Sequence, residues 1–277
     1  MAGTPLLASE HDILGQSLPE CQLYLVGELK LPSPPKPNDK VTAEMTRLRR
    51  DRKISPSLTF LDEVDNKKLK IVVHNIQSLR AHHETTKNDS SLMATDVLGF
   101  VETRTSRSGN IEFDNFSCAF ERICPPYGTS IYVKTDIEAE LVVDIAKHNN
   151  EGARYIVEVT TIRVRKDDST TFVTVVYNSP KAPRKVLEEA LVEAKQRVPE
   201  DSRQVVIGDF NIDREKPEGE KLIQFMRGMS LNCTLPLDYM TTNEGKQIDQ
   251  CFTNVDNAIA GTGESLISYH KPIWIYF

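Results

Sequence analysis

The sequence lacks the features that mark membrane, secreted and zinc-binding proteins. None of its apolar runs approaches the roughly 18 to 20 residues that a membrane-spanning helix needs. The first residues have neither the basic nor the apolar region of a signal peptide, so we expect an intracellular protein. The five cysteines are scattered and form no CxxC pair, which supports neither a disulfide framework nor a zinc site. We therefore expect them to be reduced and mostly buried.

An excess of positive charge is also absent. The net charge of -6 argues against a protein coated in basic residues for binding nucleic acid. It does not exclude an enzyme that acts on nucleic acid, because a metal-dependent site concentrates carboxylates and contacts to phosphate can be few and local. The 277 residues, of which 39% are hydrophobic, are enough to bury a core, and they contain no internal repeat.

Residues 1–68 differ in composition from the rest of the chain. Leu31 to Lys40 is rich in proline and predicts an extended linker. After it, the spacing of Val41, Met45 and Leu48 predicts a helix, and a basic run follows within residues 47–53. This basic run fits either a helix that contacts phosphates or the solvated face of a surface helix, and the second interpretation is favoured because such short runs are common.

From residue 69 onward the hydrophobic pattern predicts strands mixed with helices. Tyr155–Val164 and Thr171–Val176 alternate with the strand period and predict a hairpin, and Pro183–Val198 carries an apolar stripe with helical spacing. Hairpins combined with helices that follow strands predict an α/β (α+β) fold with two packed sheets and helices outside. Further strands are expected at Lys70–His74, Asp96–Val101, Gln204–Ile207, Ile248–Thr253, Ser265–Ile267 and Pro272–Phe277, and further helices at Ser78–Thr86 and Gly219–Met229.

Polar side chains stand at the ends of several of these apolar strands. The strand at residues 205–208 leads into Asp209 and Asn211, two residues apart. Each such residue alone has an ordinary explanation, as a turn cap, a solvated strand end or a buried histidine with satisfied partners. Together they predict a group of polar side chains at one rim of the sheets. The others are Asn75, Glu102, Tyr177, Asp249 and His270.

These residue types suit the hydrolysis of a phosphodiester, which needs a hard cation, a positioned water and donors for the charge on the phosphoryl oxygens. Glu102 and Asn75 offer the carboxylate and amide oxygens that Mg²⁺ prefers. Asp209 is suited to orient or deprotonate the water. The remaining roles go to donors on the phosphate, Asn211 and Tyr177, and to a charged His270 that is held in one tautomer by Asp249.

The order of the motifs resembles the endonuclease/exonuclease/phosphatase superfamily, and within it the apurinic-type endonuclease domains carried by mobile elements. The motifs are HNIQSLR, DVLGFVETR, GTSIYVK, VYNSP, GDFNID, IDQCFT and SYHKPIWI. The resemblance covers residues 69–277 and implies a four-layer α/β sandwich of two mixed sheets flanked by helices, with Mg²⁺ as cofactor and Mn²⁺ as an alternative ion. It implies a metal-side pair (Asn75, Glu102), a catalytic set (Tyr177, Asp209, Asn211, Asp249, His270) and substrate-binding residues (Asn178, Ser268).

One position departs from the family pattern. The family has Ser-Asp-His where this chain has Ser268-Tyr269-His270. A phenol, with an unperturbed pKa near 10, replaces a carboxylate that helps to hold the metal, so metal affinity should fall. The chain is then either a catalytically impaired copy or an active enzyme whose Glu102 still recruits Mg²⁺, which ordinarily uses only one or two protein carboxylates.

The first segment has a separate, shorter resemblance. CQLYLVGELKLP followed by VTAEMTRLRRDRK resembles the C-terminal end of helicases encoded by Helitron transposons, which predicts a helicase remnant at 1–68 and an endonuclease domain at 69–277. The sequence contains no GxxxxGK[ST] phosphate loop, so the chain is not itself such an ATPase. The resemblance implies DNA as partner, no membrane, a helicase or replicase encoded by the same element, and a nuclear location. An RNA-directed nuclease and a phosphoester phosphatase remain alternatives within the superfamily.

Overall fold

A computed structural model describes residues 61, 64–106, 111–149 and 154–277 of the protein. The predicted linker at Leu31–Lys40, the predicted helix with its basic run, and residues 1–60 of the predicted helicase remnant lie outside the described residues. Within the described part of the chain, no helix is long and apolar enough to cross a membrane.

The first sheet has six strands in the order β11-β12-β1-β2-β4-β3. Its centre pairs β1 with β2 in parallel, and the other neighbours are antiparallel. Because side chains alternate across a strand, Ile71 and Val73 face the second sheet while Val72 faces the outer layer. Its strands are β1 (Lys70–Asn75), β2 (Val97–Val101), β3 (Phe116–Glu121), β4 (Thr129–Lys134), β11 (Ile259–Thr262) and β12 (Ile273–Tyr276).

The second sheet also has six strands, in the order β5-β6-β7-β8-β10-β9. The predicted hairpin is confirmed, because residues 157–166 of β6 pair with the whole of β7 and a turn at residues 167–168 joins the two strands. Among the described strands of this sheet, β7 and β8 pair in parallel and the other neighbours are antiparallel. The strands are β5 (Glu138–Asn149), β6 (Tyr155–Lys166), β7 (Ser169–Asn178), β8 (Arg203–Asp209), β9 (Asn232–Cys233) and β10 (Asp249–Thr253).

Helices cover the outer faces of both sheets. α1 (Leu79–Lys87) and α2 (Ser90–Met93) pack on the first sheet, and α3 (Arg184–Lys195) and α4 (Pro217–Gly228) pack on the second. On α3 the buried residues recur with helical spacing, and each large one, such as Leu187, contributes roughly 1.5–3 kcal/mol through burial. One hydrophobic core lies under the helices on each outer face, and a third core lies between the two sheets. This order of layers is the predicted four-layer sandwich.

Two sequence predictions are wrong within the described residues. Ser265–Ile267 is not a strand, because the Ser265 hydroxyl accepts hydrogen bonds from the backbone N–H groups of Ile267 and Ser268 and so folds the segment into a turn. The cysteines are not mostly buried. Among the four described cysteines, all of which are free thiols, only Cys251 lies in the core.

Candidate active site

Strand pairing places three of the candidate residues side by side in the second sheet. Tyr177 of β7 pairs with Asp209 of β8, and Asp209 pairs with Asp249 of β10. Residues that pair directly across neighbouring strands point to the same face. All three side chains therefore lie in one row that faces the first sheet.

The first sheet contributes the two residues opposite this row. Asn75 ends β1, and Glu102 follows β2 directly with a positive φ of 50°. The Asn75 amide nitrogen donates to Glu102 Oε1 and to Asp209 Oδ2, both at 2.9 Å. Asn75 therefore bridges the two sheets and joins a carboxylate from each of them.

These two hydrogen bonds fix the orientation of the Asn75 amide. Both N–H groups of the amide are engaged, so the oxygen Oδ1 must point the other way. Oδ1 is buried and accepts no hydrogen bond from any described residue. A buried acceptor without a donor is costly, so this oxygen is arranged for a partner such as a cation or a water.

Asp209 is fully buried (0% exposed) and surrounded by hydrogen-bond donors. In addition to the bond from Asn75, the backbone N–H and the side-chain amide of Asn211 each donate to it at 2.9 Å. Burial and the negative charge of Asp249 raise the pKa of Asp209 to about 8, against the opposing effects of His270 and these hydrogen bonds. A carboxyl group with such a pKa can release and accept a proton near neutral pH.

Asn211 and Asn178 lie beside this carboxylate. The side-chain amide of Asn211 also donates to the Asn178 carbonyl at 2.8 Å, so both of its N–H groups are engaged. Asn211 thus orients Asp209, and one of these bonds must open before it donates to a phosphate. The Asn178 amide donates to the Phe210 carbonyl at 2.7 Å, and its own buried Oδ1 has no partner among the described residues.

His270 approaches Asp209 from the segment that precedes β12. Its Nδ1 lies 3.0 Å from Asp249 Oδ2, and its Nε2 lies 3.8 Å from Asp209 Oδ2. Burial lowers the pKa of His270, but the hydrogen bond and charge of Asp249, with the charge of Asp209, outweigh burial and raise the pKa to about 9. Nε2 makes no hydrogen bond within the described chain. A protonated His270 can therefore offer Nε2–H to a bound anion.

Tyr177 and Arg104 occupy the remaining sides of Glu102. The Tyr177 hydroxyl donates to Glu102 Oε1 at 3.2 Å, and the Arg104 guanidinium forms an ion pair with Oε2 at 2.6 Å. Burial and the charges of Glu102 and Asp209 raise the pKa of Tyr177 far above its usual value. The phenol is thus a permanent hydrogen-bond donor at neutral pH.

Ser268 and Tyr269 lie at the mouth of the site. The Ser268 hydroxyl accepts a hydrogen bond from the backbone N–H of His270 at 3.2 Å, so it orients the histidine. Tyr269 is 39% exposed, and its ring centroid lies 4.2 Å from that of His270. Burial and the charges of Asp209 and Glu102 raise the pKa of Tyr269 to about 12, so it adds no negative charge to the site.

The oxygen atoms of Asn75 and Glu102 fit a divalent cation. Asn75 offers a buried oxygen without a donor, and Glu102 is a carboxylate that remains partly exposed. A second group of possible ligands, Asp209, Asp249 and His270, has its atoms within 4.8 Å of one another. In that group Asp249 already holds His270, and Asp209 already accepts three N–H donors. Glu102 likewise accepts from Asn75, Tyr177 and Arg104. Asn75 Oδ1, however, has no donor and Glu102 is partly exposed, so this pair fits Mg²⁺, which prefers oxygen ligands and keeps several waters, better than the second group.

Two residues that the sequence reasoning missed hold the candidate site in place. The buried His74 bonds through Nε2 to the backbone carbonyl of His270 at 3.0 Å. The hydroxyl of the buried Thr241 accepts a hydrogen bond from the backbone N–H of Asp249 at 3.1 Å. The backbone carbonyl of Thr241 accepts one from the backbone N–H of Lys271 at 2.7 Å. Both act through backbone groups, which leave no pattern in a single sequence.

Comparisons with known proteins agree with this architecture. A sequence model described as the endonuclease/exonuclease/phosphatase family matches residues 64–270. No curated protein matches the chain significantly. One similar solved structure is the endonuclease domain of TRAS1, a telomere-specific non-LTR retrotransposon, with a TM-score of 0.57 and 12% identity over 76% of this chain and 98% of that one. A second is a mannosyl-6-phosphatase from Bacteroides thetaiotaomicron, with a TM-score of 0.54 and 12% identity over 76% of this chain and 99% of that one. A third is the catalytic domain of APE2 from Xenopus laevis, with a TM-score of 0.52 and 16% identity over 75% of this chain and 91% of that one. At these identities the structures show a shared fold.

Proposed function

This chain belongs to the endonuclease/exonuclease/phosphatase family, whose members hydrolyse phosphoester bonds; from that premise we propose that it is a Mg²⁺-dependent endonuclease that nicks DNA. The reaction is the attack of water on a backbone phosphorus, which breaks one phosphorus–oxygen bond and leaves a phosphate monoester and a hydroxyl. The proposed context is a mobile genetic element, with the chain acting beside a helicase or replicase of the same element in the nucleus.

One observation carries this proposal. The buried atoms Asn75 Oδ1 and His270 Nε2 both lack a hydrogen-bond partner among the described residues, and both residues adjoin the same oxygen, Asp209 Oδ2. The acceptor Asn75 Oδ1 suits a cation, and the donor His270 Nε2–H suits an anion on the other side of Asp209. A phosphodiester with its counter-cation is such a ligand.

Each of these residues has a separate role in the proposed hydrolysis. Asp209 removes the proton from the attacking water, because its raised pKa suits it to act as a base near neutral pH. His270 donates Nε2–H to a phosphoryl oxygen whose negative charge grows during attack, and Asp249 keeps the imidazole protonated and oriented. Mg²⁺ at Asn75 and Glu102 would supply positive charge to the phosphoryl oxygens.

The proposal of DNA as substrate has two supports. The similar fold of TRAS1 belongs to a retrotransposon endonuclease, and residues 1–68 resemble the end of a transposon helicase. We therefore propose that residues 1–68 are a helicase remnant and that the endonuclease domain is residues 69–277. The Asn178 oxygen and the Ser268 hydroxyl, at the edges of the site, are proposed to contact the substrate.

Tyr269 favours one alternative, a binding module that has lost turnover. It replaces the family carboxylate, is protonated at neutral pH and lies against His270. Metal affinity too weak for turnover would leave a folded domain that still binds nucleic acid. The substitution Tyr269→Asp restores the family motif and separates this alternative from an active enzyme.

The test is the nicking of supercoiled plasmid by the full chain with Mg²⁺ and with EDTA. We expect native protein to nick only with Mg²⁺ and Asp209→Ala to be inactive. A matched control is Asp256→Ala, which removes an exposed carboxylate from the turn after β10 and should nick like the native protein. Equal nicking by native protein and Asp209→Ala would reveal a contaminant. Absence of nicking in native protein, with recovery in Tyr269→Asp, would support the binding module instead.

A further inference from the structure

A fourth polar residue belongs to the row that contains Tyr177, Asp209 and Asp249. Glu158 of β6 pairs directly with Tyr177, one strand farther from Asp209. It is 0% exposed and shares the inward face of β6 with Ile156 and Ile162. A buried carboxyl group on an apolar face is unfavourable unless partners satisfy it. Its presence in this row therefore calls for a specific role.

The first sheet has a matching row that faces it. Asn75, Val101 and Thr129 pair across β1, β2 and β4. At one end Asn75 donates to Asp209, and at the other end the Thr129 hydroxyl donates to Glu158 Oε2 at 2.8 Å. The two sheets are thus joined by hydrogen bonds at two places in one row, once at the candidate site and once at Glu158.

Glu158 also holds the loop that connects β3 and β4, residues 122–128. Arg122 places its guanidinium Nε 3.8 Å from Glu158 Oε1 while it forms a second ion pair with Asp144. The loop ends at Gly128, directly before Thr129, whose hydroxyl donates to Glu158 Oε2 at 2.8 Å. Because the Arg122 side chain is only 15% exposed, its buried positive charge needs these two carboxylates as partners. Both ends of the loop therefore approach Glu158, at Arg122 through an ion pair without a hydrogen bond and at Gly128 through its neighbour Thr129.

This loop in turn holds the segment that carries Glu102. The carbonyls of Gly128 and Tyr127 accept hydrogen bonds from the backbone N–H groups of Thr103 and Arg104, at 3.1 and 2.9 Å. Gly128 has a φ of 111°, and a Cβ atom there would lie 2.6 Å from Thr103 Oγ1, so only glycine allows this close approach. Glu102 itself has a positive φ, which is unusual for its side chain and persists only where the surroundings impose it.

We propose that Glu158 is a positioning residue that fixes the Glu102 carboxylate through the loop at residues 122–128 and so sets the affinity of the site for a divalent cation. It contacts neither the cation nor the substrate. This inference rests on the proposed function, because it takes Glu102 as a cation ligand. Its physical basis is that ligand affinity is lost when the groups that orient a ligand are removed, by about 10- to 100-fold for metal sites.

The inference separates Glu158 from the residues that act on the substrate. Removal of its carboxyl group leaves the Thr129 hydroxyl and the Arg122 guanidinium without their buried partner, and the loop and the Glu102 turn then relax. The hydrogen bonds of Asp209 to Asn75 and Asn211 do not involve the loop and remain. Cation affinity should therefore fall while turnover at saturating cation changes little.

The experiment measures Mn²⁺ binding to the full chain by calorimetry, and nicking as a function of Mg²⁺. We expect Glu158→Ala to weaken Mn²⁺ binding about 10- to 100-fold and Glu158→Gln, which keeps acceptor and shape, to weaken it less than about threefold. Thr161→Val is the matched control. It removes a buried hydroxyl from the outward face of β6, where Thr161 bonds Thr174 at 2.8 Å, and should leave Mn²⁺ binding unchanged.

Each outcome decides the question. Native affinity in Glu158→Ala overturns the inference even if native protein nicks DNA, and so does a native chain that binds no Mn²⁺. Weakened binding in Glu158→Ala from a native chain that binds Mn²⁺ but never nicks supports the inference and defeats the proposed function. If Glu158→Ala does not fold, Thr129→Val decides, because it removes only the 2.8 Å bond to Glu158. A folded Thr129→Val with unchanged Mn²⁺ affinity overturns the inference.

Discussion

Asp209 and Glu158 are two carboxyl groups in similar positions with different surroundings. They lie two strands apart in one row of the second sheet, each is 0% exposed, and each accepts a hydrogen bond from a residue of the first sheet. Burial raises the pKa of both. Position in the fold and burial alone therefore do not distinguish the candidate base from a structural carboxylate.

The difference lies in the partners. Glu158 faces the guanidinium of Arg122, which keeps its charge at any ordinary pH. Asp209 faces amide groups and the imidazole of His270, whose charge depends on pH, and the negative Asp249 lies nearby. The charge of Arg122 opposes the rise that burial causes in the pKa of Glu158, whereas Asp249 adds to the rise that burial causes in the pKa of Asp209. The two proposals therefore assign a positioning role to Glu158 and a catalytic role to Asp209, although both occupy the same kind of buried position in the sheet.

The largest expected effect comes from matched isosteric substitutions at these two residues. Asp209→Asn removes the proposed base, and we expect nicking at saturating Mg²⁺ to fall by about 10²- to 10⁴-fold. Glu158→Gln should lower it less than about tenfold, because Glu158 acts only on the position of Glu102. Single-turnover nicking rates measure both. Equal losses in the two variants would contradict the distinction between them.

The next effect is on the pH profile. Asp209 must lose its proton to act as a base, so activity should fall below its pKa of about 8, or lower where a bound cation stabilises the carboxylate. His270 must keep its proton, so activity should fall above its pKa of about 9. The profile of log rate against pH should be bell-shaped, with an alkaline optimum.

Two variants assign the sides of this profile. His270→Asn should remove the alkaline fall and lower the maximum by about 10²- to 10³-fold, the usual cost of losing one donor in the transition state. Glu158→Gln should leave both sides in place, since its carboxyl group exchanges no proton in the reaction. An alkaline fall that persists in His270→Asn would assign it to another group.

A smaller effect is expected when Tyr269, which lies beside His270, is replaced by a carboxylate. Tyr269→Asp adds a negative charge beside His270, where the native phenol is neutral. We expect the Mg²⁺ concentration for half-maximal nicking to fall about tenfold, which corresponds to about 1.4 kcal/mol. Tyr269→Phe is the matched control and should keep the native requirement. The same Mg²⁺ requirement in Tyr269→Asp and Tyr269→Phe would show that residue 269 does not influence the cation.

The sequence predicted the layers of the fold and the grouping of Asp209 with its neighbours for a physical reason. Apolar strands show their period directly, and polar residues at strand ends must meet where the strands share a rim. The sequence did not identify Glu158 as a candidate, because Glu158 lies within a strand and not at a strand end. Its signal was a charged residue on the inward face of β6, among Ile156 and Ile162, but sequence alone does not show which face is inward.

Other features depend on contacts between distant segments. β5 has a single buried residue, Ile145, and its other residues are exposed or partly exposed, so its pattern did not mark a strand. The turn at Ser265 depends on a single hydroxyl. The different roles proposed for Asp209 and Glu158 depend on the charged groups that face each carboxyl group. Arg122, which faces Glu158, precedes it by 36 positions in the chain. Single-sequence patterns do not contain such pairings.

A similar contrast holds for His74 and His270, the two buried histidines among the described residues, and here the expected effect is on stability. His74 and His270 are joined by the hydrogen bond from His74 to the His270 carbonyl. Carboxylates surround His270 and raise its pKa, whereas burial lowers the pKa of His74 to about 4 from 6.5. The unfolded chain therefore binds a proton at residue 74 more readily than the folded chain does.

This difference gives the sign of the pH dependence. The stability contributed by neutral His74 is fully present above pH 6.5 and is lost as the pH falls from 6.5 to about 4, by up to about 3 kcal/mol. His74→Gln keeps a donor but cannot be protonated, so its free energy of unfolding should fall less over this range. His83→Gln is the control, because His83 also bonds a backbone carbonyl, that of Glu112 at 2.8 Å, but is partly exposed. Urea unfolding at several pH values measures all three proteins, and parallel curves for native protein and His74→Gln would show that His74 is not the group that destabilises the fold in acid.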